Sequence, residues 1–169
     1  MVQSGSQTDE LAARVVETLT TALSDRLVAV VLFGSRARGE GSDTSDWDLL
    51  VIAEGLPARV FDRNLYLKQL LPPECCGCLS ILAKTPEQFR GAVSSLYLDI
   101  ALDGRILYDA RGFAEERLGW LRRQIGQLGL RRERTPEGSD WRWESQPRSQ
   151  DAGPYPGSMP PGLLPQTVW

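Results

Sequence analysis

The sequence predicts an α/β fold, and three observations support that class. Apolar residues recur at three-and-four spacing over residues 8–27, which is typical of one face of a helix. Residues 27–33 and 47–53 form two apolar runs rich in β-branched side chains, with the length and composition of buried strands. Further helical and strand-like segments follow one another over residues 58–129. Segments of both kinds within one chain indicate an α/β domain.

The elements after the second strand have recognisable boundaries. Thr85, Pro86 and Gln88 match the cap, the first helical position and the third residue of a capping box. A helix is therefore predicted to begin directly after Thr85. The other predicted elements are a helix over 58–71 closed by two prolines, a strand over 78–84, a helix over 95–104, a strand over 105–109 and a helix over 112–129.

The composition changes near residue 135, where Pro, Gly, Ser, Trp and Arg replace the periodic apolar pattern. We therefore predict a folded domain over residues 1–134 and an extended C-terminal tail over residues 135–169. The tail carries Trp141, Trp143 and Trp169. Each of these side chains would bury on the order of 200 Å² if it docked, either on the chain's own domain or on a partner.

Composition and charge narrow the classes of function. The chain has 169 residues, of which 41% are hydrophobic and 24% charged, so it is long enough and apolar enough for one globular domain. A net charge of -3 disfavours nucleic acid as a partner. The longest apolar stretch is far shorter than the roughly 20 residues that span a bilayer. These features predict a cytoplasmic protein that makes no membrane contact.

The cysteines do not predict a metal site. Cys75, Cys76 and Cys78 are the only cysteines, and the chain contains no histidine. A structural zinc site usually needs four Cys or His ligands, so the cluster would need a ligand from elsewhere. Reduced, half-buried thiols in a reducing compartment are the favoured interpretation.

Small residues and carboxylates meet at the ends of the first two strands. Gly34 and Ser35 end the first apolar run, where a glycine permits a sharp turn and a serine offers an amide and a hydroxyl. Asp46 and Asp48 begin the second run and, being two apart, point to the same face of a strand. Such a pair of carboxylates suits Mg²⁺, which binds a few carboxylates together with water and substrate phosphates. The pattern favours phosphoryl or nucleotidyl transfer.

The motif resembles a known family. Gly34-Ser35, ten intervening residues and Asp46-Trp47-Asp48 match the Gly-Ser, ten-residue, Asp-x-Asp signature of the polymerase-β-like nucleotidyltransferases in their minimal form (MNT). The likeness to small stand-alone members extends over roughly residues 8–130. It implies a mixed β-sheet flanked by helices, Mg²⁺ as cofactor and ATP as substrate. It also implies a HEPN toxin as partner, towards which the MNT acts as antitoxin by attaching AMP to a tyrosine.

The resemblance assigns roles by position. It implies that Gly34 and Ser35 hold the triphosphate and that Asp46 and Asp48 are catalytic and bind metal. Arg36 is a further candidate for nucleotide binding, as a phosphate contact, and Arg38 lies on the same predicted lip.

The chain also departs from the family pattern. Members with three carboxylates carry the third on a later strand, whereas the corresponding segment here offers Ser80 and no carboxylate. A serine neither binds a hard cation comparably nor acts unaided as a base at neutral pH. The base would then come from Asp99, Asp103 or a partner, or transfer would proceed without one, slowly or not at all.

Two alternative functions remain open at this stage. The first is a non-catalytic nucleotide-binding or docking module that neutralises a partner protein. The second is an aminoglycoside-like nucleotidyltransferase that modifies a small molecule, although the chain has little room for the extra domain such enzymes use. Homo-oligomerisation also remains open.

Overall fold

The computed structural model describes residues 4–42, 44–135 and 138–143. Predictions for Trp169 and for the rest of the tail after Trp143 lie outside the described residues. The helices are α1 (Ser4–Leu23), α2 (Gly34–Ala37), α3 (Val60–Leu70), α4 (Pro73–Cys76), α5 (Pro86–Gly91), α6 (Ser95–Asp103) and α7 (Phe113–Gln127). The strands are β1 (Leu27–Phe33), β2 (Trp47–Ala53), β3 (Leu79–Lys84), β4 (Arg105–Asp109), β5 (Leu130–Thr135) and β6 (Gly138–Trp143).

The main sheet is mixed and has the strand order β3-β2-β1-β4. β1 pairs antiparallel with both β2 and β4, whereas β2 and β3 run parallel. A parallel neighbour needs a crossover, and α3 and α4 supply it between β2 and β3. The predicted α/β fold with a mixed sheet flanked by helices is confirmed.

The two central strands of the sheet, β1 and β2, are buried on both faces. Val30 and Leu32 of β1 pack in one apolar cluster with residues of α1 and α3, because alternate side chains of a strand point to one face. Ala29 and Val31 pack in a second cluster with α5, α6 and α7. This arrangement explains why β1 and β2 read as continuous apolar runs. None of the helices that the structure describes is long and apolar enough to cross a membrane.

Several boundaries differ from the prediction. α1 begins at Ser4, ends at Leu23 and is followed by a short 3₁₀ turn, whereas the pattern predicted helix over residues 8–27. α4, which the sequence did not predict, begins at Pro73 because a proline fits the first position of a helix. The capping box of α5 is confirmed, with Thr85 and Gln88 bonded reciprocally.

The largest difference lies in the segment predicted as an extended tail. β5 and β6 form an antiparallel hairpin in which Leu130 pairs with Trp143. The segment predicted as an extended tail therefore contains a paired strand over residues 138–143, and the division into a domain over 1–134 and a tail over 135–169 stays a prediction. Trp141 docks on the chain's own domain, where it packs against the second cluster and donates from Nε1 to Asp99 Oδ1 at 3.2 Å. Pairing with β5 gives residues 138–143 a strand conformation that their local sequence periodicity did not indicate.

Candidate active site

The two halves of the sequence motif touch each other. Gly34 follows the last residue of β1, and Phe33 pairs across the sheet with Asp48 of β2. Gly34 has a φ of 74°, which an L side chain rarely adopts, and a Cβ there would overlap Asp48 Oδ2. The absence of a side chain at Gly34 therefore lets the Asp48 carboxylate sit directly against the turn. Sequence reasoning predicted a small residue here, and the packing supplies the reason.

Burial and a neighbouring charge disfavour the ionised form of Asp48. The side chain is half-buried, and this burial is the main cause that raises its pKa above the ordinary value. The charge of Asp46 raises the pKa further. A hydrogen bond with Ser80 and the charge of Arg38 act in the opposite direction without reversing the shift. The site thus holds a carboxylate whose negative charge is incompletely compensated.

Asp46 lies in the loop immediately before β2 and is exposed. Arg36 orders this loop: its Nε donates to Ser45 O at 2.8 Å, and its guanidinium lies 4.8 Å from the centroid of the Trp47 ring. A Cβ on Gly41 would lie 2.6 Å from Arg36 Cγ, so the loop packs closely on this side chain. These contacts give Arg36 a role in placing Asp46. Its assignment as a phosphate contact stays a prediction.

Ser80 occupies the position beside Asp48 on the neighbouring strand. The two residues pair in register between the parallel strands β2 and β3, and their side chains share a hydrogen bond. The departure that the sequence indicated is thus located next to the motif, where a hydroxyl stands in place of a third carboxylate. The described residues contain no group of three or more His, Cys, Asp or Glu side chains that could hold a metal ion.

Arg38 connects the site to the rest of the fold. Its Nε donates to Glu40 Oε2 at 2.7 Å, and its Nη1 lies 3.9 Å from Asp103 Oδ2. Arg38 also lowers the pKa of Asp48, so its positive charge faces the candidate site. Of the two arginines on the lip, Arg38 is the one whose charge reaches Asp48.

Asp99 and Asp103 are engaged elsewhere. Arg132 of β5 donates to both Asp103 oxygens, from Nη1 at 2.6 Å and from Nη2 at 2.9 Å, and its Nη1 also donates to Asp99 at 3.3 Å. The hydrogen bond to Asp103 is the main cause that raises the pKa of Arg132. A carboxylate bonded in this way is a poor proton acceptor, so the hypothesis that either residue supplies the base is not favoured.

Residue spacing indicates this contact, although composition alone does not. Arg132 and Arg134 alternate along a strand, and Asp99 and Asp103 stand one turn apart on a helix. Arg134 also bonds to Glu40 at 2.5 Å, so the β5–β6 hairpin reaches the loop that follows the Gly-Ser turn. Complementary charge at matched spacing indicates such a contact.

The donor set fits Mg²⁺ in a particular way. Asp46 and Asp48 would provide two carboxylates with hard oxygen atoms, and the charge of Asp46 acts on Asp48 in addition to burial. Mg²⁺ is commonly held in proteins by one or two carboxylates, with water and substrate phosphates completing its coordination. The residues present therefore suit a metal ion that arrives with a nucleoside triphosphate. They do not form a closed all-protein site.

Comparison with known proteins agrees with this geometry. The nucleotidyltransferase domain model matches residues 15–72, which contain the Gly-Ser turn, both aspartates, β1 and β2. The chain is 49% identical over 47 residues to a Methanocaldococcus jannaschii protein named "Putative protein adenylyltransferase". That match covers 28% of this chain and 32% of the relative, so the chain spans about a third of that protein's length. Residues 15–72 are thus similar to a nucleotidyltransferase domain.

Solved structures share part of the architecture. A toxin-antitoxin crystal structure with AMP-PNP matches with a TM-score of 0.48 and 18% identity over 69% of this chain and 90% of the other. The Shewanella oneidensis complex of a tri-AMPylated HEPN toxin with an MNT antitoxin matches with a TM-score of 0.45 and 16% identity, covering 70% and 90%. A Sulfolobus solfataricus nucleotidyltransferase structure matches with a TM-score of 0.43 and 26% identity, covering 60% and 79%. TM-scores this low support no further conclusion about this chain.

Proposed function

We propose that this chain is a Mg²⁺-dependent nucleotidyltransferase that transfers AMP from ATP to a tyrosine hydroxyl of a HEPN toxin and acts as its antitoxin. The single observation that carries the nucleotidyl-transfer part is the direct packing of Gly34 against the Asp48 carboxylate. A phosphate-binding turn and a metal-binding carboxylate must lie side by side to act on one triphosphate. The acceptor and the partner class follow from the resemblance of the motif.

Each side chain of the site has a distinct task in this proposal. Gly34 and Ser35 hold the triphosphate, and Arg38 is available to bind a phosphate oxygen once Glu40 releases it. Asp46 and Asp48 hold Mg²⁺, which supplies charge neutralisation at the triphosphate. Arg36 keeps the loop that carries Asp46 in place. Among these residues only Asp46 and Asp48 are acidic, so the site provides electrostatic stabilisation more readily than proton abstraction.

A docking module without transfer activity is the second candidate, and one observation favours it. Ser80 stands beside Asp48 where a third carboxylate would complete the metal site, and it bonds to Asp48 instead. A protein that only binds nucleotide needs no third carboxylate. The two candidate functions differ in whether the partner protein gains the mass of attached AMP.

The deciding experiment is intact-protein mass spectrometry of a candidate HEPN partner after incubation with the full chain, ATP and Mg²⁺. The reading frame beside this one is the first place to seek that partner, as a short helical protein. We expect a mass gain of whole AMP units, with loss of the gain in the Asp46→Asn/Asp48→Asn variant. Asp62→Asn is the matched control, because Asp62 is an exposed aspartate on α3, away from the motif.

The outcomes separate the candidates. A stable complex with no mass gain, and with toxin neutralisation intact in the double variant, would establish the docking module. A mass gain that persists in the double variant would show that the catalytic carboxylates lie elsewhere.

A further inference from the structure

A second concave site lies between α5 and α7, away from the residues of the candidate active site. Its volume is about 200 Å³. We name it the α5–α7 pocket; it is lined by Arg90, Phe113, Glu116, Arg117, Trp120 and Arg123. Three cations and one carboxylate give the lining an excess positive charge, in a chain whose net charge is -3.

Aromatic rings hold two of these arginines in place. The Arg90 guanidinium lies 4.9 Å from the centroid of the Phe113 ring, and that of Arg117 lies 4.3 Å from Trp120. Stacking uses the face of a guanidinium and leaves its N–H edges available for an acceptor. Arg117 is oriented further by a 2.9 Å bond from Nη2 to Ala92 O.

The charge of Arg90 acts on the exposed Glu87, but no ion pair neutralises the pocket within the described part of the chain. No carboxylate there forms an ion pair with Arg90, Arg117 or Arg123, although Glu116 lies on the lining. The Nε of Arg117 is buried without a hydrogen-bond partner, and such a group is costly to leave unsatisfied. Burial and, to a smaller extent, the nearby charge of Arg90 lower the pKa of Arg117.

The size and lining of the pocket restrict its ligand. Sites for drug-sized molecules occupy about 300–1,000 Å³, so this pocket suits a side chain better than a whole nucleotide. Phe113 and Trp120 are already stacked with guanidinium groups, which leaves less ring surface for a nucleobase. A planar carboxylate accepts two parallel N–H bonds from one guanidinium and would neutralise the repulsion between the arginines.

We propose that the α5–α7 pocket binds an aspartate or glutamate side chain from an acidic segment of a partner protein. The pocket shares no residue with the candidate active site, so this binding does not depend on AMP transfer. The stacked arginines provide the pre-organised donors for the bound carboxylate. Such a contact would select partners by charge, and Glu116 would limit its affinity because it repels any anion.

The experiment measures binding of fluorescent, end-blocked peptides to the full chain by anisotropy, at physiological ionic strength. The probe is a short peptide of alternating Glu and Ser, with alternating Lys and Ser as the peptide control. We expect saturable binding of the acidic peptide and affinity weakened about tenfold or more in Arg90→Glu/Arg123→Glu. Both side chains are exposed, so the fold should tolerate this change. Arg59→Glu is the matched control, since Arg59 is exposed just before α3.

A second measurement shows where on the protein the peptide binds. The indole N–H resonance of Trp120, assigned by its loss in Trp120→Phe, should shift during the titration, because Trp120 lines the pocket. Asp46→Asn/Asp48→Asn should bind the peptide normally, which separates this proposal from the proposed transfer activity. Absence of saturable binding, equal binding by the Arg90→Glu/Arg123→Glu variant, or preference for an oligouridylate RNA over the peptide would overturn the proposal.

Discussion

Two pairs of closely spaced aspartates in this protein have contrasting environments. Asp46 and Asp48 lie two residues apart at the start of β2, and Asp99 and Asp103 lie one turn apart on α6. Arg132 bonds both members of the second pair. The first pair has Arg38 as a nearby charge, but burial and mutual repulsion still raise the pKa of Asp48.

This difference indicates how structural carboxylates can be distinguished from functional ones. A pair that is neutralised within the chain contributes to stability, because each charge has a bonded partner. A pair held close without sufficient positive charge stores unfavourable electrostatic energy, which a bound cation relieves. The same reasoning separates Arg132, which has its carboxylates, from Arg117 in the α5–α7 pocket, which does not.

Asp48→Asn should give the largest effect and the clearest test of this contrast. We expect AMP transfer to fall roughly 10³-fold, corresponding to about 4 kcal/mol, because a metal ligand is lost. Without metal, the free energy of unfolding should stay equal or rise, since asparagine removes a charge that the fold disfavours and keeps an oxygen for Ser80. Transfer assays and urea unfolding measure the two quantities. A large loss of stability would show that Asp48 is structural.

Gly34→Ala should damage the contact on which the proposed function depends. The added methyl group would overlap Asp48 Oδ2, and the φ of 74° would strain any L side chain by about 1–2 kcal/mol. We expect weaker ATP binding and a lower free energy of unfolding, measured by calorimetry and urea unfolding. Gly39→Ala is the matched control, because Gly39 has a φ of 75° and no atom within 4 Å of its Cβ position. Equal effects at both glycines would attribute the damage to strain alone.

Asp103→Asn should show the inverse of the Asp48 result. The substitution weakens the bidentate bond with Arg132, where the two side chains are only 14% and 15% exposed. We expect a loss of about 1.5–3 kcal/mol in the free energy of unfolding, and a change in AMP transfer of less than about tenfold. Urea unfolding and transfer at saturating ATP measure these effects. If AMP transfer were lost while the free energy of unfolding stayed unchanged, Asp103 would have to be assigned to the catalytic site.

The fold was largely accessible from sequence because most of its signals are local. The apolar runs of β1 and β2 and the capping box of Thr85 and Gln88 depend on residues within a few positions of each other. The contact between Arg132 and Asp103 spans 29 positions, and pairing of β6 depends on β5 rather than on its own periodicity. Such contacts arise from tertiary packing, which a reading of local patterns does not capture.

The candidate site was accessible in part. The spacing of the Gly-Ser turn and the Asp-x-Asp segment indicated that they would meet, because they flank adjacent strands. The sequence did not show that Arg36 holds the Asp46 loop, or that Arg38 is the arginine whose charge reaches Asp48. Arg36 and Arg38 lie two positions apart in the sequence, and only their contacts in the folded protein separate their roles.

Ser80→Asp should strengthen the metal site by a smaller amount. Ser80 lies in register beside Asp48, so an aspartate there would add a third carboxylate to the pair. We expect divalent-cation affinity to rise about tenfold and stability without metal to fall, because the like charges lie closer together. Mn²⁺ titration and thermal unfolding measure both. Ser80→Asn is the uncharged control; equal affinity gains in the two variants would show that charge is not the cause.

The pH dependence of metal binding provides the subtlest test, and its sign follows from the raised pKa of Asp48. Protons compete with Mg²⁺ for this carboxylate, so affinity should fall as the pH drops through that pKa, which lies above the usual aspartate range. In the protein without metal, stability is expected to change with pH in the opposite direction. Relative to Asp48→Asn, Asp48 disfavours folding most when ionised, and stability should decline as the pH rises through the same pKa. Mn²⁺ titrations and unfolding from pH 4 to pH 8 measure both trends. Asp103→Asn should leave the Mn²⁺ affinity unchanged at each pH if the two aspartate pairs differ as the structure indicates, because the Asp103 carboxylate bonds to Arg132 and not to a metal.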